Sequence, residues 1–190
     1  MRIKQWSNYS NELARQVVLG DLDAALTTGT PETPKLSLLR LADNPFYIAM
    51  ATDDSLVQHR EIHLEQMQGR NWILLSRHAN SYLYDMILFV GAGKNVRPKD
   101  TFHVMSPEEV SELILEHQAL AFLPRSAAWR ISRDGITMRP LSEPQLRLVT
   151  NLAVRSDTKS RLVKEFVKAS SRKIDSLGLK VQSRLPLTGS

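Results

Sequence analysis

The stretch "ELARQVVLGDLDAAL", residues 12–26, joins a helical pattern directly to a strand. Leu13 and Val17 lie one helical turn apart and predict the buried face of a helix. Gly20 comes next, and glycine adopts the left-handed conformation in which many helices end. Leu22–Leu26 is short and apolar, which predicts a buried strand. The fold therefore alternates between helix and strand from an early point in the sequence.

The rest of the sequence continues this alternation. Strands are predicted over residues 1–6, 36–41, 46–51, 71–75, 101–105, 120–123, 135–141 and 145–155. Helices are predicted over residues 81–90, 106–117 and 157–169, with irregular structure and a helical turn over 53–70. Ser7 or Ser10 can cap the first helix, and Ser106, Pro107 and Glu109 form a capping box. Alternating strands and helices indicate an α/β fold with a mostly parallel sheet.

The composition is typical of a globular protein. Of the 190 residues, 42% are hydrophobic, enough for one domain or two small lobes with a core. The absence of cysteine excludes disulfides and thiolate chemistry. The longest apolar runs are far too short to span a bilayer, and the N-terminus lacks the apolar core of a signal peptide. We therefore expect a cytoplasmic protein with no membrane partner.

The excess positive charge lies at the C-terminal end. Residues 155–190 hold nine Lys or Arg and three Asp or Glu, a balance of +6, and the other 16 basic and 17 acidic residues give −1. The last predicted helix has one apolar face, formed by Leu162, Val163, Phe166 and Val167. Lys164 and Lys168 lie on its other face. A solvated helix face and a polar tail explain the charge, and weak, salt-sensitive attachment to nucleic acid is the alternative.

No motif indicates catalysis. Residues 91–95, "GAGKN", lack the spacing of a phosphate-binding loop and follow a helix, so they predict a helix end and a turn. Residues 59–63, "HREIH", have a misplaced glutamate and no third ligand for a metal, so exposed loop histidines are predicted. Trp6, Trp72 and Trp129 are expected to fill core or lobe contacts. We expect no enzyme activity, no cofactor and no metal site.

Five segments, in their order and spacing, resemble the effector-binding domain of LysR-type transcriptional regulators. They are "ELARQVVLGDLDAAL", "LLRLADNPFYIAMATDDSL", "EIHLEQMQGRNWILLS", "SPEEVSELILEHQALAFLPRSAAW" and "GITMRPLSEPQLRLVTNLAVRSDTKSRLVKEF". The resemblance implies a periplasmic-binding-protein-like (type 2) α/β fold of two lobes joined by two crossover strands. Lobe I is expected at residues 1–46 and 152–170, lobe II at 47–151, and a polar, basic tail at 171–190.

The resemblance also implies a small organic effector, often a carboxylate, bound in the cleft between the lobes without turnover. The expected contacts, by matching position, are Ser10, Thr27, Thr28, Ser76, Arg77, His78, Asn80 and Ser106. Ser10 and Ser106 can equally be helix caps alone, and Arg77 and His78 can be solvated loop residues. A solute-binding protein of a transport system has the same fold and is the alternative, but it needs an export signal.

The sequence departs from the family in two places. The family's helix-turn-helix, linker helix and first strand–helix unit precede the segment where this chain starts, so we expect a truncated sensor without its DNA reader. DNA would be contacted only through that absent region, and a second copy or other regulator subunits are the expected protein partners. The missing first strand would lie between the strands at residues 1–6 and 22–26, whose two edges must then pair directly, stay open or borrow from a partner. His117 and Ala119 replace two glycines that usually precede the family's strand–proline unit.

Overall fold

The computed structural model describes residues 4–29, 33–131 and 135–176. The chain divides into two compact units, unit 1 at Met1–Asp43 with Val149–Ser190 and unit 2 at Asn44–Leu148. The elements in chain order are α1 Ser10–Leu19, β1 Ala24–Thr28, β2 Leu36–Ala51, β3 Trp72–Leu75, α2 Ser81–Gly93, β4 Thr101–Val104, α3 Val110–His117, β5 Leu120–Pro124, α4 Arg125–Ile131, β6 Ile136–Pro140, β7 Arg147–Arg155 and α5 Arg161–Ser176. Short 3-10 turns occupy Ser55–Gln58, Leu64–Met67 and Pro107–Glu109.

Unit 1 contains strands in the order β1-β7-β2, with helices α1 and α5 packed on them. β1 and β7 are antiparallel. Val17 of α1 is buried in one apolar cluster with Ala25 of β1. Val163 of α5 is buried in another cluster with Leu39 and Leu152. Each helix therefore buries one apolar stripe against the strands, as an α/β layer requires.

The turn from α1 to β1 confirms the helix that ends on a glycine. Gly20 has a φ of 85°, and its N–H donates to the carbonyl oxygens of Gln16 and Val17. A Cβ at this position would lie 3.1 Å from Nη1 of Arg155. The predicted cap is wrong, because Tyr9 is the N-cap residue of α1 and no side chain caps it.

Unit 2 has strands in the order β6-β2-β5-β3-β4. β3 lies parallel to both β4 and β5. Trp72 is buried at the start of β3, stacks edge-on with Phe122 and donates its indole N–H to the carbonyl of Met67 at 3.1 Å. On the other side of the same strand, Ile73 belongs to a second cluster with Ile114. The core of unit 2 therefore lies on both faces of its parallel strands.

The prediction of a mostly parallel sheet is wrong. β1 pairs antiparallel with β7, and β2 pairs antiparallel with both β5 and β6. β3 pairs in parallel with its two neighbours, β4 and β5. Each of these antiparallel pairs contains β2 or β7. These are the two strands along which the chain leaves unit 1 and returns to it.

β2 is one strand where two are predicted. It runs without interruption through Asp43, Asn44 and Pro45. Its first part lies beside β7 in unit 1, whereas its pairing with β5 begins at Phe46. The turn-forming residues therefore mark the place where the strand changes neighbours. Pro45 has no N–H to donate to a ladder, and the pairing with β5 begins at the next residue.

Residues 4–6, the described part of the strand predicted at residues 1–6, do not form a strand. Residues 1–3 lie outside the described part, and residues 4–9 have no regular secondary structure. Trp6 is 72% exposed, so the expected core or lobe contact is wrong for this residue, whereas Trp72 is fully buried. The side chain of Trp129 lies outside the described residues. Within the described residues β1 has a strand neighbour on one side only, and its Leu26 is 62% exposed.

α5 begins later and ends later than predicted. It continues to Ser176, so the predicted tail at 171–190 starts within a helix, and residues 177–190 lie outside the described part. Leu162 and Phe166 are 64% and 48% exposed, contrary to the predicted apolar face. The buried stripe is instead Val163, Val167 and Ile174, which lie four and seven residues apart and so fall within about 40° of one another around the helix.

The turn from α3 to β5 forms without the two glycines that the family usually has at the positions of His117 and Ala119. Gln118 takes the left-handed conformation at the end of α3, with φ 48° and ψ 42°. A non-glycine residue is uncommon there because its Cβ crowds the backbone. α4 follows β5 directly and is not predicted from the sequence, because Pro124 indicates a stop.

Candidate functional site

In unit 1 the end of β1 meets the start of α1. The backbone N–H of Thr28 donates to the Oγ of Ser10 at 3.0 Å. The N–H of Gly29 donates in the other direction, to Val149 of β7, so alternate residues of β1 face β7 and the open side. Thr27 is 1% exposed, so it lies inside the unit rather than on its surface. Ser10 therefore holds the end of a strand, which is a different role from the predicted helix cap.

In unit 2 a tight turn follows β3. Ser76 donates its N–H to the carbonyl of Val104 at 2.7 Å and accepts at its own carbonyl from Ala79 and Asn80. Its Oγ accepts the N–H of His78 at 3.3 Å, while the His78 side chain is exposed. The buried side chain of Asn80 accepts the N–H of Leu83 at 3.1 Å and caps α2. Sequence analysis missed this cap.

Arg77 forms a bidentate ion pair on the surface of unit 2. Its Nε and Nη2 each donate to a carboxylate oxygen of Asp85 at 2.8 Å. These hydrogen bonds raise the pKa of Arg77 and lower the pKa of Asp85. Both side chains are exposed, so the pair contributes little to stability. Its consequence is positional, because Asp85 of α2 holds the guanidinium of a residue in the turn at residues 76–80.

The loop before α3 carries two carboxylates. Glu109 accepts the N–H groups of Met105 at 3.2 Å and Ser106 at 3.0 Å, which confirms its part in the predicted capping box. Backbone hydrogen bonding, followed by a hydrogen bond from the hydroxyl of Ser106, lowers the pKa of Glu108. The N–H groups ahead of α3 are therefore already satisfied by a carboxylate, and the local charge is negative.

The two loops of unit 2 lie at the same edge of its sheet. β3 and β4 are parallel neighbours, with Leu75 opposite Val104, so residues 76–80 and Ser106 follow adjacent strand ends. One loop carries the cations Arg77 and, when protonated, His78, and the other carries Glu108 and Glu109. The structure thus brings together the sequence-predicted residues of unit 2, just as it brings together Ser10 and Thr28 in unit 1.

Two other motifs have structural roles. "GAGKN" is confirmed as a helix end and turn, since α2 ends at Gly93 and Lys94 pairs with the nearly buried Glu143 at 2.7 Å. The hydrogen bonds that the Lys94 ammonium donates to Glu143 and Glu65 raise the pKa of Lys94. Of the "HREIH" histidines, His63 is exposed. Within residues 4–29, 33–131 and 135–176, no group of three or more His, Cys, Asp or Glu is placed to hold a metal ion.

A buried pair also fixes the start of unit 2. The carboxylate of Asp54 accepts the N–H of Leu56 at 2.9 Å and is hydrogen-bonded by Arg70. Asp54 is the N-cap residue of the 3-10 turn at Ser55–Gln58, and Arg70 anchors this cap from further along the chain. Among the helices that the structure describes, none is long and apolar enough to cross a membrane.

Unit 1 holds a cavity of about 430 Å³ at the other end of β1 from Thr28. Its lining residues are Gly20, Leu22, Asp23, Arg155, Asp157, Thr158 and Lys159. Arg155 is held by Asp157 in a bidentate pair. None of the predicted effector contacts lines this cavity.

The element order and topology define a periplasmic-binding-protein-like (type 2) α/β fold, as the resemblance implies. Residues 6–174 match the model of the LysR substrate binding domain, and the chain belongs to this family, a domain of transcriptional regulators. Among curated protein sequences, none matches the chain closely enough to count as a relative.

Solved structures of LysR regulators are similar to this chain. The BenM effector-binding domain with its effector benzoate is 17% identical, with a TM-score of 0.77, and the match covers 100% of this chain and 85% of that one. The effector-binding domain of QuiR in complex with shikimate is 17% identical, with a TM-score of 0.73, over 89% and 79%. Full-length CbnR in a complex with target DNA is 14% identical, with a TM-score of 0.73, over 87% of this chain and 58% of that one. At these identities the likeness shows the fold.

Proposed function

We propose that this chain is the effector-sensing domain of a LysR-type transcriptional regulator and binds a small organic acid without converting it. Family membership over residues 6–174 supports the role. BenM and QuiR, two similar proteins, are known with benzoate and shikimate, both carboxylic acids. We propose further that the domain acts in the cytoplasm, as a homo-oligomer or with other regulator subunits, and that a helix-turn-helix outside this chain reads the operator.

The observation that carries the proposal is the set of polar groups at the strand ends of each unit. Unit 1 offers Ser10 and Thr28, which are joined by a hydrogen bond of 3.0 Å, with Thr27 buried beside them. Unit 2 offers two adjacent loops, with Ser76, Arg77, His78 and Asn80 on one and Ser106 on the other. Ligand sites of α/β proteins form where strand ends and helix N-termini converge, and these residues occupy such positions.

The two loops of unit 2 differ in charge, so they would contact different groups of the effector. Arg77 provides a guanidinium that forms bidentate bonds with a carboxylate in this structure, its present partner being Asp85. An effector carboxylate would take the same geometry. Ser106 lies among the carboxylates of Glu108 and Glu109, so a hydroxyl that donates a hydrogen bond is favoured there over a second anion. A carboxylic acid that carries hydroxyl groups is therefore the proposed effector class.

Isothermal titration calorimetry with benzoate, shikimate and the uncharged benzyl alcohol tests the proposal. We expect a carboxylate to bind and benzyl alcohol to give no heat. Arg77→Gln should weaken carboxylate binding by about tenfold, the value of one charge-assisted contact of about 1.5 kcal/mol. Asp85→Asn should strengthen it, because the guanidinium is then released from its internal partner.

The matched control is Arg60→Gln, which removes one exposed arginine from unit 2 at a place away from both loops. It should leave every affinity unchanged. Absence of heat with any acid, or equal affinities for all three variants, would contradict the proposed site.

A further inference from the structure

One face of α5 is lined by exposed cations. Arg161, Lys164, Lys168 and Arg172 are all exposed and follow one another at intervals of three or four residues. At 3.6 residues per turn, these four positions fall within an arc of about 80° around the helix. The buried stripe with Val163 lies on a different side, so the basic face is turned away from the unit's core.

Few acids neutralise this basic face. Lys168 has Glu165 as a partner at 3.4 Å, in an exposed pair that is worth little. In the described part of the chain, no ion pair involves Arg161, Lys164 or Arg172. The balance of +6 over residues 155–190, against −1 for the rest of the chain, concentrates the protein's surplus charge at this helix and the residues around it.

The face has the length and charge of a contact with a polyphosphate chain. From Arg161 to Arg172 the helix rises by about 16 Å at 1.5 Å per residue. One DNA strand carries a phosphate every 3.4 Å of helix axis, so the same length spans about five phosphates. The regular spacing of cations therefore matches a regular row of anions better than it matches a single charged ligand.

We propose that the basic face of α5 binds the phosphate backbone of duplex DNA without sequence preference. This function goes beyond effector sensing, which does not require a polyanion. The contact is electrostatic, because lysine and arginine side chains on a rigid helix displace counterions from the phosphates. Full-length CbnR, a similar protein, has been solved with its target DNA, so duplex DNA is a polyanion that a member of the family meets.

An anionic membrane fits this surface less well. A helix that lies in a membrane interface needs a broad apolar face opposite its cations. In α5 that stripe is already buried against Leu39 and Leu152. Leu162 and Phe166 are the remaining exposed large apolar side chains of the helix, and two side chains bury little area.

Fluorescence anisotropy of the full chain with a labelled duplex of arbitrary sequence tests the proposal across KCl from about 50 to 200 mM. For three or four phosphate contacts, log K should fall against log[KCl] with a slope of about −3. Lys164→Gln with Lys168→Gln should reduce the slope by about 2 and weaken binding at 0.1 M KCl by one to two orders of magnitude, roughly. Both side chains are exposed, so the fold should be retained, which circular dichroism checks.

The control is Arg60→Gln with Lys99→Gln, two exposed cations of unit 2 whose loss changes the net charge by the same amount. This pair should keep the slope and the affinity of the unaltered chain. The proposal is overturned if the duplex does not bind, or if both pairs of substitutions lower affinity equally. It is also overturned if phosphatidylserine vesicles bind the chain and the duplex does not.

Discussion

Replacing Glu109 by alanine should change both the stability and the ligand preference of unit 2. Its carboxylate accepts the N–H groups of Met105 at 3.2 Å and Ser106 at 3.0 Å. Loss of a capping side chain at an exposed helix start costs about 1 kcal/mol. For a chain of this size that corresponds to a fall in Tm of about 2–4 °C. Glu112→Ala is the matched control, because it removes the same charge from an exposed position one turn further along α3.

The same substitution should raise affinity for simple carboxylates. With Glu109 removed, two N–H groups at the start of a helix become available to an anion, and a negative charge disappears. We expect benzoate to gain about tenfold in affinity, while shikimate gains less because a donor hydroxyl loses its acceptor. Calorimetry of both variants with both acids measures the ratio. The reasoning fails if Glu109→Ala and Glu112→Ala give the same Tm and the same ratio of affinities.

Three further predictions concern stability. Gln118→Gly should raise the free energy of unfolding by about 0.5–1 kcal/mol, because glycine relieves the left-handed backbone at the end of α3; urea denaturation measures it, and a loss of stability would contradict it. Trp72→Ala should cost about 3–5 kcal/mol or prevent folding, since the side chain is fully buried and its indole N–H is bonded; circular dichroism decides, and a near-neutral result would refute the packing. The hydrogen bonds from Arg77 lower the pKa of Asp85 from its ordinary 3.8, so their stabilisation is present above that pH and is lost as the pH falls through the lowered value. As the pH falls below about 4, Tm should therefore fall slightly further in the unaltered chain than in Asp85→Asn, because an exposed pair contributes little, and equal falls would exclude the pair as a cause.

Local signals in the sequence predicted the features of the fold that depend on neighbouring residues. The left-handed stop at Gly20, the strand at residues 71–75 and the role of Glu109 are confirmed, because each follows from a residue's own conformational or hydrogen-bonding preference. Sheet direction was not predictable in this way. Whether β2 runs parallel or antiparallel to β5 depends on pairing between residues that are far apart in sequence.

Side-chain burial was predicted less well at the edges of elements. The pattern at Leu162 and Phe166 reads as a continuous apolar face, but a helix resting on three strands covers only a narrow stripe. The prediction for Trp6 is wrong for a related reason, since burial of its side chain requires a strand that residues 4–6 do not form.

In the candidate site, too, the contacts between residues could not be predicted from the sequence. The positions came from resemblance, and the sequence offered no signal that Arg77 meets Asp85, eight residues away across a turn. Ser10 was expected to satisfy its own helix, yet it bonds Thr28, because the end of β1 folds back against the start of α1. Contacts of this kind depend on the tertiary fold and become visible only in three dimensions.

The uncovered side of β1 has a practical consequence for anyone who purifies this domain. Within the described residues this side of β1 has no neighbouring strand, and a strand edge beside an exposed leucine acts as a template on which other chains assemble, so losses should grow with concentration and storage time. A single lysine in place of Leu26 would act as a gatekeeper, because burying its ammonium in an intermolecular ribbon is unfavourable. Light scattering of concentrated samples would then show slower aggregation of the Leu26→Lys variant than of the unaltered chain.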